Sequence, residues 1–297
     1  MSILFKKDSF HDSGKAFTLK VEGLDLSYRY FMSHNQKKIS FIYCHGMQSH
    51  QKWFTDSAEE FKARGFLVYT WDRMGSGDSA HIDGLKGHMN SFAIHLKSLE
   101  NLIARAREDH PENKIVLWGD SYGGKLLAAF AAIEGVVDGF IFSTPGIYHN
   151  KEKLKLPYTI SQFLFSRNKT YYPSVIPEYG GDNGASMFTA HESYFLKIKN
   201  DHQSQRSFTR KFYLETSKLD KFIQKKTKNV AIPSLLLLIG DDSMVDNKKN
   251  QKFFRERFLK VDVKIYQTDK KNQHYLMFTS ARERAFNDVE IFMQGLP

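Results

Sequence analysis

Two kinds of hydrophobic pattern share this chain, and where one gives way to the other sets out its architecture. Ala16 to Val21 and Leu24 to Phe31 alternate loosely about Glu22-Gly23, the pattern of an antiparallel hairpin at a sheet edge. Short, nearly unbroken apolar runs follow: Ile39 to Cys44, Phe66 to Trp71, Lys114 to Gly119, Val136 to Phe142, Ile232 to Gly240 and Val261 to Gln267. Runs of that length, bounded by turn residues, predict buried strands. Between them lie segments of helical period. Trp53 to Arg64 carries Trp53, Phe54, Ala58 and Phe61 and closes at Gly65, and Ser91 to Glu108 carries Phe92, Leu96, Leu99, Leu102 and Ile103 on one face. Lys125 to Ala132, Asn247 to Leu259 and Ala281 to Met293 are the other helices of this series. Strands alternating with helices predict an α/β fold, a mostly parallel central sheet with helices on both faces.

The alternation stops after Pro145 and resumes at Ile232. From Gly146 to about Asn229 there are instead amphipathic pieces such as Leu156 to Ser166, where Leu156, Ile160, Phe163 and Leu164 share a face. Residues 146–229 are therefore expected to be a helical cap inserted into a body made of residues 1–145 and 230–297.

One junction in the body carries chemistry. The run Lys114 to Trp118 meets Gly119-Asp120-Ser121-Tyr122-Gly123, and a helix-favouring run begins just beyond it. Gly-x-Ser-x-Gly between a strand and a helix holds the serine on a strained turn with its hydroxyl clear of the sheet. The motif is short, and its strand–turn–helix context is what separates it from a chance match. Such a serine needs a histidine to take its proton and a carboxylate to orient that histidine. Of the 12 histidines, His274 follows the last strand and precedes the last helix, where His45, His88, His191 and His202 do not. After Leu235 to Ile239 stand Asp241, Asp242 and Asp246. Asp246 is placed to cap a helix and Asp241 to point across the turn, so spacing puts Asp242 ahead without closing the choice. The oxyanion would be held by the amide of Tyr122, next after the nucleophile, and by that of Met47, in His45-Gly46-Met47 after an earlier strand.

Composition adds limits. The chain has 297 residues, 41% hydrophobic and 14% aromatic, enough for a large core. Its single cysteine, Cys44, rules out a disulfide within the chain and fits a reducing compartment. The first residues lack a signal-peptide apolar stretch, and the longest apolar run, Leu126 to Ile133, is far short of a membrane span, so a cytoplasmic protein is expected. The net charge of +10 serves solubility or attraction to an anionic surface; lysines spread along the whole chain favour solubility, and no nucleic-acid partner is expected. No ligand cluster with metal spacing stands in the sequence, and no metal or organic cofactor is implied.

With these residues in place the chain resembles the α/β-hydrolase superfamily and, within it, the monoacylglycerol lipase and lysophospholipase group related to the serine aminopeptidases. The resemblance covers nearly the whole chain. His45-Gly46-Met47 with Ser49-His50 is similar to the group's oxyanion loop, Asp72 to Ser79 to its Asp-x-x-Gly-x-Gly-x-Ser turn, and Gly119 to Gly123 to its elbow. Gly240 to Asn247 is similar to the stretch in which the triad aspartate stands four residues before a second Asp, which implies Asp242, and His274 matches the triad histidine. Asp120 stands where the monoacylglycerol lipases have histidine, Met74 replaces a smaller or polar residue, and the cap is only weakly similar. The resemblance implies an α/β-hydrolase fold and hydrolysis of carboxylic esters of lipid-like substrates through an acyl-enzyme. An aminopeptidase or small-ester esterase, or an inactive binding module of the same fold, are the rival expectations.

The cap's basic stretch bears on substrate. Lys151, Lys153, Lys155, Arg167 and Lys169 interleave with Leu154, Leu156, Tyr158, Ile160, Phe163, Leu164, Phe165, Tyr171 and Tyr172. Such a piece can make peripheral contact with an anionic membrane. A cap helix with its apolar face on the site and its lysines in water is the reading favoured here, and both suit a lipid-like ester.

Overall fold

The computed structural model describes residues 9–10, 13–33, 36–133, 137–150, 166–173, 182, 184–242, 244–271 and 273–297. Its strands are β1 (Lys15–Val21), β2 (Leu24–Phe31), β3 (Ile39–Cys44), β4 (Leu67–Trp71), β5 (Lys114–Asp120), β6 (Gly139–Ser143), β7 (Tyr171–Pro173), β8 (Ser207–Thr209), β9 (Ser234–Ile239) and β10 (Val261–Tyr266). Eight of them form one sheet in the order β1-β2-β4-β3-β5-β6-β9-β10. The hairpin β1-β2 and the pair β2-β4 are antiparallel, and every other neighbour in that sheet is parallel. β7 and β8 pair apart from it.

The helices are α1 (Thr55–Ala63), α2 (Ala93–Asp109), α3 (Tyr122–Phe130), α4 (Ala185–Phe188), α5 (Glu192–Lys199), α6 (Arg210–Lys226), α7 (Asn247–Arg257) and α8 (Arg282–Gln294). Successive strand residues point to opposite faces. In β5, Ile115 and Leu117 join the core under α2, α3, α6 and α7, while Val116 and Trp118 join the core under α1 and α8. A sheet covered on both faces needs strands that are apolar at every position, which is why these runs show no alternation. This is the α/β-hydrolase architecture.

Two local differences from the sequence pattern have physical causes. The helix after the serine starts at Tyr122 and so includes Gly123 and Gly124, which helix propensity disfavours. Close packing demands them: a Cβ on Gly123 would lie 2.0 Å from the Cys44 carbonyl oxygen, and one on Gly124 2.9 Å from Pro145. Between β6 and β9 the chain also forms α6, seventeen residues long, whose Phe212, Leu219 and Ile223 pack on the α2–α3 face. Its N-cap is Thr209, whose hydroxyl accepts from the Phe212 amide.

The amphipathic piece Leu156 to Ser166 lies outside the described residues except for Ser166, and so do Lys151, Lys153 and Lys155. Of the basic stretch, Lys169 pairs with Asp83 at 3.1 Å, both side chains being exposed. Among the described residues no helix is long and apolar enough to cross a membrane.

Candidate active site

The carboxyl ends of β3, β5, β9 and β10 share one edge of the sheet, because these strands run parallel. Every candidate residue leaves from that edge. Ser121 stands between β5 and α3 with φ 49° and ψ −110°, a conformation few non-glycine residues adopt. The turn is sharp enough that a Cβ on Gly119 would lie 2.6 Å from the backbone of Gly123. With α3 starting directly behind it, the serine sits at the positive end of a helix.

The loops after β9 and β10 bring Asp242 and His274 together. His274 Nδ1 lies 2.9 Å from one carboxylate oxygen of Asp242 and 3.0 Å from the other. Asp242 also accepts from the amides of Met244 at 2.7 Å and Val245 at 3.0 Å, which fixes the carboxylate plane. Both side chains are buried. A carboxylate only accepts, so Nδ1 carries the imidazole proton and Nε2 keeps a lone pair. Among the described residues His274 Nε2 has no hydrogen-bond partner, and His274 lines the same pocket as Ser121. Thr144 holds the His274 carbonyl at 3.0 Å. Asp246, in contrast, caps α7, its carboxylate accepting from the Lys249 amide at 3.0 Å.

Met47 and Tyr122 both line this pocket. The peptide planes that carry their amides are held through the carbonyls, since a trans peptide sets its N–H and C=O in one plane, pointing opposite ways. The carbonyl between Ser121 and Tyr122 accepts from the Lys125 amide at 3.1 Å and the Gly146 amide at 2.8 Å. The carbonyl between Gly46 and Met47 accepts from Arg73 Nη2 at 2.9 Å and faces His45 Nδ1 at 2.8 Å. Arg73 also donates to the Met47 carbonyl at 2.8 Å, and its guanidinium lies 4.9 Å from the centre of the Tyr122 ring. One buried cation thus touches both Met47 and Tyr122. Burial lowers Arg73 to about 10, which leaves it charged at neutral pH.

The glycine turn after β4 supports this arrangement from below. Asp72 is buried, and burial raises its carboxyl above the usual range. It accepts from the Gln51 amide and side chain, both at 2.8 Å, and from the Asp78 amide at 2.9 Å. A Cβ on Gly77 would fall 2.2 Å from that carboxylate, so glycine is required there.

The pocket holds residues that the sequence motifs did not single out: His149, Phe188 and Met244. His149 lies six residues past the end of β6, in a segment with no motif of its own. Burial, with the charge of Lys125, lowers its imidazole to about 3, so the ring is neutral. Phe188, Met244, Met47 and Tyr275 give the pocket an apolar wall.

This fold is that of an α/β-hydrolase. The chain belongs to the family described as serine aminopeptidase, S33, whose model matches residues 35–278. It is similar to the monoacylglycerol lipase of Mycolicibacterium smegmatis, 28% identical over 107 residues, which is 36% of this chain and 37% of the relative. It is also similar to the monoglyceride lipase of Rattus norvegicus, 26% identical over 135 residues, 45% of this chain and 44% of that protein. The matched stretches thus span less than half the length of either curated relative. Among solved structures, a soluble variant of the Saccharomyces cerevisiae monoglyceride lipase with a substrate analog superposes with a TM-score of 0.81 at 16% identity, covering 96% of this chain and 95% of that one. The monoacylglycerol lipase of Paleococcus ferrophilus gives a TM-score of 0.75 at 15% identity, over 91% of this chain and 98% of that one. At such identities the superpositions speak for the fold.

Proposed function

We propose that the protein hydrolyses carboxylic esters of lipid-like substrates, a monoacylglycerol or lysophospholipid, through an acyl-enzyme on Ser121. The observation that carries this reading is His274, bonded at Nδ1 to Asp242 while its unpaired Nε2 lines the pocket that also holds Ser121. Ser121 Oγ attacks the ester carbonyl carbon as its proton passes to His274 Nε2. The oxygen of the tetrahedral intermediate accepts from the amides of Met47 and Tyr122. Collapse expels the alcohol, which takes its proton from His274. Water then attacks the acyl-enzyme with His274 again the base, releasing the carboxylic acid and Ser121. Asp242 keeps the imidazole in the productive tautomer and stabilises its cation.

The wall of the pocket supports the lipid-like substrate class. Its described lining contains no Asp or Glu. A peptidase that selects a free ammonium group needs such a carboxylate, whereas an acyl chain needs only the apolar wall present here. Residues 146–229 are proposed as the cap, and His149 as the wall residue that meets the alcohol side of the ester.

A fluorophosphonate probe tests the reaction class: it should label Ser121 in the wild type and not in Ser121→Ala. An unlabelled wild type would instead favour a binding module. Comparing kcat/KM for monoacylglycerols, lysophospholipids and aminoacyl amides tests the substrate class, and amides turned over faster than esters would refute it.

A further inference from the structure

Asp120 precedes the nucleophile and faces away from the substrate pocket. Its carboxylate is fully buried. Tyr43 Oη donates to it at 2.6 Å, Trp118 Nε1 reaches its other oxygen at 3.4 Å, and the hydroxyls of Tyr43 and Tyr275 are hydrogen-bonded to each other. The three partners come from distant parts of the chain. Tyr43 is the penultimate residue of β3, two residues before the loop that holds Met47, Asp120 stands directly before Ser121, and Tyr275 directly follows His274. Each is one or two residues from a segment assigned to the reaction. Around them the wall is apolar: the Tyr43 ring stacks on Phe54 with centroids 3.7 Å apart, and Tyr275 packs against Trp53 and Phe278.

We infer that Tyr43, Asp120 and Tyr275 form a buried clamp that fixes the oxyanion loop, the nucleophile turn and the histidine loop in register, with Asp120 as a positioning residue for Ser121 and His274. The inference rests on the reaction proposed above.

The count of protons favours an ionised Asp120 in this clamp. Tyr275 donates to Tyr43 and Tyr43 donates to Asp120, so both hydroxyl protons end on a group that only accepts. Protonating Asp120 adds a third O–H among the three side chains and removes the charge that orients the other two. Burial pushes the Asp120 carboxyl up to about 6, while the Ser143 hydroxyl and the Tyr43 and Trp118 donors pull it back. Burial also keeps both phenols well above their ordinary range, hence protonated. The titratable groups facing Asp120 are Tyr43 and Cys44 on β3 and His274 and Tyr275 on the loop after β10, with Tyr194 of α5 beyond Tyr275. An ionised Asp120 favours the imidazolium of His274, the cation that forms as Ser121 loses its proton.

Two variants test the clamp. Asp120→Asn keeps the shape and removes the charge; Tyr275→Phe removes one oxygen and keeps the ring. On a short ester each should lower kcat, by about 10²-fold for Asp120→Asn and about tenfold for Tyr275→Phe, with KM unchanged, as a displaced reacting group does. Asp120→Asn should also move the acid limb of the kcat/KM profile to lower pH, because less negative charge remains to hold a proton near Ser121. Tyr69→Phe serves as the control, since Tyr69 meets Asp109 at 3.4 Å, far from this edge of the sheet. It should leave kcat and the pH profile as they are. Wild-type kcat in both test variants overturns the clamp, and so does a loss in Asp120→Asn without a shift of the limb, which marks a merely structural role. If Asp120→Asn fails to fold, Tyr275→Phe decides alone by its kcat. Failure of fluorophosphonate to label wild-type Ser121 overturns the reaction reading instead, so the two failures are told apart.

Discussion

The two sides of Ser121 are braced by buried charges of opposite sign. On the side of the proposed oxyanion hole the loop after β3 is tied down by a cation, Arg73, which donates to the carbonyls of Gly46 and Met47. On the histidine side the loops after β9 and β10 are tied down by anions: Asp242 holds His274, and Asp120, through Tyr43, holds Tyr275. In the proposed reaction negative charge grows on the carbonyl oxygen and positive charge on His274. Each side therefore buries the charge opposite to the one that develops there. A dry, fixed charge acts without reorganising at the moment of reaction, which is how electrostatic preorganisation lowers a barrier. The contrast also explains why so many polar groups are sunk under this edge of an otherwise apolar sheet.

The sharpest break in that comparison comes from the anionic side. Asp242→Asn should lower kcat by about 10⁴-fold, because an amide can donate to His274 Nδ1 and so favours the wrong tautomer. Steady-state hydrolysis of a soluble ester checks this, with fluorophosphonate labelling of Ser121 slowed in parallel. The cationic side should cost less. Arg73→Met removes the guanidinium shared by the Gly46 and Met47 carbonyls and lets the loop drift, so kcat should fall by about 10²-fold. Arg73→Lys should recover only part of that, since an ammonium cannot offer the planar fork that reaches both carbonyls. If Arg73→Met loses more than Asp242→Asn, the two sides are ranked wrongly.

A third prediction probes the floor between the two sides. His149 is neutral and lies in the pocket wall. His149→Phe keeps a ring and removes the nitrogens. It should lower kcat/KM for a glycerol ester about tenfold relative to the methyl ester of the same acid, the worth of one hydrogen bond to the alcohol. An unchanged ratio would show that His149 does not meet the leaving alcohol.

What could be read from the sequence divides along the same line. Strand ends and tight turns leave local marks. Glycines 119 and 123 are forced by backbone approach, and the strands are apolar throughout because both faces are covered, so the sheet and Ser121 were legible. His274 was legible from its place after the last strand. Among Asp241, Asp242 and Asp246, spacing put Asp242 ahead without closing the choice and the resemblance implied it; in the structure Asp242 bonds His274 while Asp246 caps α7. Arg73, Asp120, Tyr43 and Tyr275 left less trace still. Their partners lie across the fold: Tyr43 meets Asp120 across 77 residues and Tyr275 across 232. No short-range pattern encodes contacts of that span. His149 was missed for the same reason, and the expected amphipathic piece at 156–166 falls almost wholly outside the described residues.

The smallest effect belongs to Asp246, four residues past Asp242 and next to the anionic side without serving it. Its carboxylate accepts from the Lys249 amide at 3.0 Å and pairs with the Lys249 side chain at 2.7 Å, the lysine side chain being 64% exposed. The first bond satisfies an amide at the start of α7 that has no acceptor within the helix. The second is an exposed ion pair, which contributes little. Asp246→Ala removes both and should cost about 1 kcal/mol of stability, the usual worth of an N-cap. In a chain of this size that lowers Tm by about 2 °C. Asp246→Asn keeps a capping oxygen and loses only the exposed pair, so its Tm should stay within about 1 °C of wild type. Both variants should keep wild-type kcat, since the capping carboxylate is turned towards α7 while His274 has its carboxylate in Asp242. Thermal unfolding and ester hydrolysis measured on the same preparations check the pair. An inactive Asp246→Asn beside an active Asp242→Asn would reverse the assignment of the acid, and the anionic side of the comparison would have to be redrawn around Asp246.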